Sequence, residues 1–147
     1  MKLTTKGRYA VTAMVDLACN SEGVPISLAD ISGRQEISLS YLEQLFSKLR
    51  RFGLVKSVRG PGGGYVLAHE PSAISIADII RAVDEPIQTT SCEDVDGEGC
   101  QKASRCITHN LWYKLGEHIY DYLDSVNLSG LIQEDQARQM QAELPVE

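Results

Sequence analysis

The feature that most constrains the fold of this chain is a run of four glycines and one proline, Gly60-Pro-Gly-Gly-Gly64. Glycine and proline both interrupt regular secondary structure, so this run is predicted to be a turn. The residues before it, 54–59, are rich in apolar and β-branched side chains, and Tyr65-Val-Leu67 after it is typical of a return strand. We therefore predict a β-hairpin, or wing, over residues 54–67. A nucleotide-binding loop is disfavoured, because no Gly-Lys-Ser/Thr follows and no helix begins there.

Amphipathic helices are predicted on the N-terminal side of this wing. The first, from about Thr4 to Asn20, has one broad apolar face, and Cys19 is expected to be a small buried residue on it. A short second helix begins after the N-cap candidate Ser27, and a third ends near Arg51. Two short helices joined by a tight turn predict a helix-turn-helix at about residues 28–51.

Beyond the wing, the sequence predicts two further helices and a long irregular segment. A short helix covers residues 76–83, whereas residues 87–105 show little periodicity and are rich in Gly, Asp, Ser and Thr. Five apolar residues then recur at helical spacing and mark a long amphipathic helix: Leu111, Leu115, Ile119, Tyr122 and Val126. This stripe is wider than a monomer of this size needs, so we predict a homodimer through it, with packing inside one chain as the alternative. The polar residues 134–147 are expected to be disordered.

Charge is distributed unevenly along the chain. The net charge is −6, but residues 1–67 contain nine basic and five acidic residues, giving +4, and residues 68–147 contain five and fifteen, giving −10. The net negative charge of the whole chain argues against a nucleic-acid partner. The positive charge of residues 1–67, however, indicates that this part of the chain binds a polyanion. No stretch approaches the roughly 18 apolar residues of a membrane helix, so we expect a cytoplasmic protein with no membrane partner.

The third helix has a short polar face opposite its leucines. Four residues share this face: Ser40, Glu43, Gln44 and Ser47. In a DNA major groove Gln suits adenine and Glu suits the cytosine amino group, so Ser40, Glu43 and Gln44 are predicted to contact bases of a double-stranded DNA operator. Arg59, at the wing tip, is placed to enter a narrow minor groove. The predicted contacts to the DNA backbone are Tyr9, Tyr41, Lys48, Arg50, Arg51 and Lys56. Plain solvation of this face is the alternative.

Three cysteines and one histidine cluster in the acidic part of the chain: Cys92, Cys100, Cys106 and His109. In a reducing compartment such clusters more often bind metal or act in redox chemistry than form disulfides. Three thiolates and one imidazole suit either a zinc site or an iron-sulfur site. The spacing also resembles zinc fingers that bind single-stranded RNA. The residues between Cys92 and Cys106, however, include four carboxylates and no aromatic ring, which disfavours RNA.

The chain resembles the family of winged helix-turn-helix bacterial transcription regulators that includes iron-sulfur cluster regulators. Four features carry the resemblance: Leu3–Ala10, Ile37–Phe46, Val58–Tyr65 and the Cys-Cys-Cys-His set. The resemblance covers nearly the whole chain. The spacer before Cys100 is two residues longer than in familiar members, and the C-terminal tail is shorter.

This resemblance implies an iron-sulfur-sensing transcription regulator that acts as a repressor and an activator. A 2Fe-2S cluster would be held by the three cysteines and His109 and supplied by the iron-sulfur cluster assembly machinery. The cluster-bound form would repress cluster assembly genes, and the cluster-free form would bind a second class of DNA site. Glu43 is the candidate for discriminating between these sites, because phosphate repels a carboxylate, whereas a cytosine amino group can donate a hydrogen bond to it. A zinc-stabilised DNA-binding module without a sensing role stays open as the alternative.

The predicted fold class is mainly α-helical with a small β-hairpin wing. Residues 1–70 would form a winged helix-turn-helix DNA-binding domain, residues 71–133 the cluster-binding loop and dimerisation helices, and residues 134–147 the polar tail. A dimer formed by the long C-terminal helix would present two third helices to the half-sites of a near-palindromic operator. The sequence shows no pattern of paired carboxylates and no sign of an activated nucleophile, so an enzyme is not predicted.

Overall fold

The computed structural model describes residues 5–84 and 107–143 of the 147-residue chain. The elements in chain order are α1 (Thr5–Asn20), α2 (Leu28–Gln35), α3 (Leu39–Phe52), β1 (Val55–Val58), β2 (Gly64–Leu67), a 3-10 turn (Pro71–Ala73), α4 (Ile76–Ala82), α5 (His109–Ser125) and α6 (Leu128–Ala142). The expected mainly α-helical fold with one small hairpin is confirmed. No helix within the described ranges is long and apolar enough to cross a membrane.

The helix-turn-helix consists of α2 and α3, each of which begins after a serine cap. The hydroxyl oxygens of Ser27 and Ser38 accept hydrogen bonds of 3.2 and 3.3 Å from backbone N–H groups three residues further on. These bonds satisfy amides that a helix start leaves unpaired. In the turn between the helices, Glu36 adopts a left-handed φ of 55°, and Ser32 donates to the Ile37 carbonyl at 2.5 Å. The turn therefore has its own hydrogen bond and holds α3 at a defined angle to α2.

The wing is the antiparallel hairpin of β1 and β2, which ends with Val58 opposite Gly64. Its turn requires glycine, because Gly60 has a φ of 103° and a Cβ on Gly64 would lie 2.2 Å from the Ile26 carbonyl oxygen. That close approach exists because Ile26 and Tyr65 exchange two backbone hydrogen bonds of 3.0 and 2.8 Å. The wing is thus attached through the main chain to the segment that leads into α2.

Apolar side chains from α1 to α4 pack into one core. Fully buried members include Met14, Leu17, Ile31, Phe46 and Ile79. Each such side chain contributes about 1.5–3 kcal/mol through removal of apolar surface from water. Leu42, Leu45 and Leu49 of α3 face this core as predicted, which leaves the opposite side of the helix toward solvent. Leu39, the first residue of α3, is 41% exposed, so the prediction that it lies inside is wrong.

The C-terminal helices join this core at one place. The Ile76 N–H donates to the Val126 carbonyl at 2.9 Å, and the Leu128 N–H donates to the Ile74 carbonyl at 3.1 Å. Leu128, the first residue of α6, is fully buried. The chain from residue 76 to residue 126 therefore starts and ends at the same point of the core.

Helix α6 corrects the prediction for the C-terminal tail. The polar composition predicts disorder from residue 134, but the helix continues to Ala142, so that prediction is wrong for residues 134–142. Asn127 caps its start by accepting the Gly130 N–H at 2.8 Å, and the following Gln, Glu, Ala, Arg and Met residues all have high helix propensity. An ion pair between Arg138 and Asp135 adds support on the exposed face. A polar composition alone was therefore a poor guide to disorder here.

Cys19 is exposed, so the prediction that it is a small buried residue is wrong. The core face of α1 includes Leu17, and Cys19 lies two residues beyond it, or about 200° around the helix. Partial burial raises the pKa of its thiol, and the carboxylates of Asp16 and Asp135 raise it further. The thiol is therefore held in its protonated, weakly nucleophilic form.

Candidate functional site

The exposed side of α3 brings together the three helix residues predicted to contact bases. Ser40, Glu43 and Gln44 are all exposed, and the buried Leu42 and Leu49 occupy the other side of the helix. Because α3 packs on the core through one side only, its polar side is available to a groove as wide as the DNA major groove, about 12 Å. The three predicted base contacts therefore form one exposed surface, whereas Ser47, the fourth residue of the predicted face, is half-buried.

Basic side chains surround this polar face, and most of them are exposed: Arg50, Arg51, Lys56 and Arg59. Arg51 continues the polar face by one helical turn beyond Ser47. Arg59 stands directly before the glycine turn of the wing. Lys48 differs, since its side chain is 35% exposed and its Nζ lies 3.6 Å from Asp84 Oδ2.

Tyr9 and Tyr41 form an aromatic pair beside the N-terminal half of α3. Their ring centroids are 5.9 Å apart and the rings are nearly perpendicular, at 82°. Such an edge-to-face pair is a favourable arrangement of two aromatic quadrupoles. Tyr9 stays 39% exposed, so the pair brings a side chain from α1 to the edge of the polar face of α3. Both residues are predicted DNA-backbone contacts, but no sequence pattern predicts that they contact each other.

A buried carboxylate links α1 to the helix-turn-helix. The Asp16 side chain is 2% exposed and accepts hydrogen bonds from Arg34 Nη2 and Nε at 2.7 and 3.0 Å, and from Gln35 Nε2 at 2.9 Å. Burial alone would raise the pKa of Asp16, but bonds from Arg34, Gln35 and Asn20, with the Arg34 charge, outweigh it and hold the pKa below its ordinary value. The two-pronged contact with Arg34 fixes the orientation of α2 on α1.

Arg81 connects α4 to α5. Its guanidinium lies 3.8 Å from a carboxylate oxygen of Asp124 and 5.5 Å from the ring centre of Tyr120. The Ser75 hydroxyl also donates to Asp124 Oδ1 at 3.2 Å. These contacts, together with the backbone bonds near residue 126, set the direction in which α5 leaves the core.

The predicted dimer stripe on α5 is largely uncovered in the single chain. The exposed fractions are 58% for Leu111, 38% for Leu115 and 68% for Tyr122, and Ile119 is half-buried. Val126 differs from these, because it follows the last residue of α5 and packs against the core. Helix α5 thus presents an apolar face that the described part of its own chain does not cover.

His109 is the predicted metal ligand that lies within the described residues. It is the first residue of α5 and is half-buried. Cys92, Cys100 and Cys106 lie outside the described ranges 5–84 and 107–143, as does the whole of the predicted irregular segment 87–105. Inside those ranges there is no group of three metal-binding side chains.

Comparison with known proteins identifies relatives that cover nearly the whole chain. A family model described as "Rrf2: Iron-dependent Transcriptional regulator" matches residues 3–134. The chain is 57% identical over 132 residues to the HTH-type transcriptional regulator IscR of Yersinia pseudotuberculosis, which covers 90% of this chain and 79% of that protein. Its identity to the IscR of Aliivibrio salmonicida is 54% over 140 residues, which covers 95% of this chain and 82% of that protein.

Two solved structures show the same architecture. T. potens IscR has a TM-score of 0.76 at 39% identity and covers 100% of this chain and 94% of its own. CymR, the global cysteine regulator of B. subtilis, has a TM-score of 0.73 at 42% identity and covers 91% of this chain and 98% of its own. With a winged helix-turn-helix, an exposed polar face on α3 and relatives named as transcriptional regulators, this chain belongs to the Rrf2 family of iron-dependent transcriptional regulators and is a DNA-binding regulator, not an enzyme.

Proposed function

We propose that this regulator senses iron-sulfur supply through a 2Fe-2S cluster held by Cys92, Cys100, Cys106 and His109. Occupancy of this site changes which operators the protein prefers, so that it represses some promoters and activates others among iron-sulfur cluster assembly genes. The cluster assembly machinery of the cytoplasm is the proposed donor of the cluster, and the cytoplasm is where we expect the protein to act.

The position of His109 carries this proposal. His109 is the first residue of α5 and follows Cys106 by three residues. The start of this helix therefore comes directly after the stretch of sequence that contains the three cysteines. Three thiolates and one imidazole are a donor set that iron-sulfur clusters use, and the neutral imidazole leaves the bound group less negative than a fourth thiolate would. When bound, the cluster supplies a redox-active centre whose presence depends on iron and sulfide.

Contacts between helices offer a route from His109 to DNA. Asp124 and Tyr120 of α5 contact Arg81 of α4, and α4 packs directly on α3. A group that favours one position of α5 therefore also favours one position of α4 against α3. On α3 and the wing, the proposed base contacts are Ser40, Glu43, Gln44 and Arg59. The proposed backbone contacts are Tyr9, Tyr41, Lys48, Arg50, Arg51 and Lys56.

The exposed apolar stripe of α5 supports a two-fold dimer. Leu111, Leu115, Ile119 and Tyr122 would pack against the same residues of a second copy, and Val126 would lie at the edge of this contact because it already packs on the core. A two-fold dimer presents two copies of α3 to successive turns of the same DNA face, which suits a near-palindromic operator.

Anaerobic purification tests the cluster directly. We expect a red-brown protein with equal amounts of iron and sulfide, and loss of both in the Cys92→Ala and His109→Ala variants. The matched controls are Cys19→Ala and His118→Ala, which change the same residue types outside the proposed ligand set and should keep the colour. A colourless protein with one zinc per chain would instead favour a zinc-stabilised winged-helix DNA-binding module without a sensing role.

A further inference from the structure

Asp84 joins three helices at the C-terminal end of α4. Its backbone has a left-handed φ of 54°, and its N–H donates to the Arg81 carbonyl at 3.1 Å. Its carbonyl oxygen accepts a hydrogen bond from Lys6 Nζ of α1 at 3.3 Å. Its carboxylate Oδ2 lies 3.6 Å from Lys48 Nζ of α3. The same residue therefore contacts the N-terminal helix and the helix that carries the polar face.

Lys48 lies where Asp84 can alter its attraction for DNA. It follows Gln44 by one helical turn, at the side of the polar face. A cavity of about 310 Å³ lies between the C-terminal ends of α3 and α4 and is lined by Lys48, Arg51, Phe52, Arg81, Ala82 and Asp84. Asp84 is the acidic member of that lining, so its charge opposes the local positive potential that would attract a phosphate.

We infer that Asp84 is a positioning residue that holds the Lys48 ammonium toward α4 and thereby limits its contact with a DNA phosphate. The inference rests on the proposed role of Lys48 as a backbone contact. Both side chains are partly exposed, 35% for Lys48 and 78% for Asp84, so the ion pair is weak enough for phosphate to compete with it. The competition sets how much Lys48 adds to DNA affinity.

The Asp84→Asn variant tests this role without disturbing the fold. Asparagine has the same shape, tolerates a positive φ, and keeps the backbone carbonyl that Lys6 contacts. We expect DNA affinity to rise by about two- to five-fold, the range that corresponds to an exposed ion pair. The plot of log affinity against log salt should become steeper by up to about 0.9, which corresponds to one more neutralised phosphate. The probe is a labelled duplex that the protein itself has selected from a random pool.

A double-mutant cycle assigns the effect to Lys48. In a Lys48→Met background, Asp84→Asn should give a clearly smaller gain in affinity, because its charge then acts only through the local potential, and should leave the salt slope unchanged. Glu22→Gln, which removes one negative charge elsewhere, should change neither quantity in the wild-type background. An unchanged or lowered affinity for Asp84→Asn would overturn the inference, as would an equal gain in the Lys48→Met background. If Lys48→Met itself leaves the wild-type affinity and salt slope unchanged, the proposed backbone role of Lys48 fails, and the inference fails with it.

Discussion

Two effects compete at Asp16: burial disfavours the ionised carboxylate, and its hydrogen bonds stabilise that ionised form. The carboxylate is almost fully buried and stays ionised because Arg34 and Gln35 bond to it. Removing its charge leaves Arg34 without its partner, although Arg34 is 40% exposed and water recovers part of the loss. We expect Asp16→Asn to lower the free energy of unfolding by about 1–3 kcal/mol, measured by chemical denaturation. The exposed Asp121→Asn on α5 should change it by less than about 0.5 kcal/mol, and equal losses would contradict a specific role for Asp16.

The same carboxylate predicts how stability depends on pH. Its folded pKa lies below the unfolded value of about 3.9, so the folded protein binds fewer protons at this site than the unfolded chain does. The stabilisation is therefore present above the unfolded pKa and is lost as the pH falls through the folded pKa. We expect the difference in unfolding free energy between wild type and Asp16→Asn to shrink as the pH is lowered from about 5 to 3. A difference that stays constant over this range would contradict a lowered pKa.

Glu43 is predicted to control the choice of operator. Its carboxylate is exposed on the polar face of α3, and phosphate repels it unless a cytosine amino group donates to it. We expect Glu43→Ala to change the ratio of affinities for the two site classes, in cluster-free and cluster-bound protein, by about tenfold, as measured by fluorescence anisotropy. Glu22→Ala serves as the control for charge. Relative affinities that stay as in the wild type would remove this role from Glu43.

Among the elements, those with local signals were predictable and those that depend on distant partners were not. The leucine spacing of α3 and the glycine turn of the wing lie within short stretches, so the helix, the wing and the polar face with Ser40, Glu43 and Gln44 could be predicted from the sequence. The pairing of Ile26 with Tyr65 joins residues far apart in the chain, and no local pattern marks it. Asp16 did interrupt an apolar helix face, which signals a buried partner, but nothing in the sequence indicated that this partner is Arg34.

The apolar stripe of α5 gives a prediction for the dimer. Leu115→Glu would place a charge in the middle of the proposed contact, where an unpaired buried charge is strongly unfavourable. We expect the dimer dissociation constant to rise by at least about 100-fold, measured by sedimentation equilibrium. Tyr113→Glu introduces the same charge on the other side of α5, where Tyr113 is 53% exposed, and should leave the dimer intact. A Leu115→Glu protein that stays dimeric would place the interface elsewhere.

The division of charge across the whole molecule predicts a strong salt dependence. The exposed arginines and lysines of the proposed interface all belong to the half with a net charge of +4. Each phosphate that they neutralise should contribute about −0.9 to the slope of log affinity against log salt concentration. We expect a steep negative slope in a titration with potassium chloride. In Arg51→Met the slope should become less negative by about 0.9 for each subunit that loses a phosphate contact. A slope near zero would contradict DNA binding through this surface.

The hydrogen bonds that join residues 74–76 to residues 126–128 also bear on how such a regulator changes over evolution. They join the two ends of the intervening segment, residues 76–126, and both ends lie at the buried core. Two more residues in a closed segment of this length raise the entropic free-energy cost of closing it by well under about 0.1 kcal/mol. The two additional residues that the resemblance implies before Cys100 would therefore cost little stability. Because α4 is part of the core, only the chain between α4 and residue 126 can accept a different ligand set or length while the core, the wing and α3 stay unchanged. A change of the proposed sensed signal would therefore need fewer compensating changes than a change of the DNA-binding part.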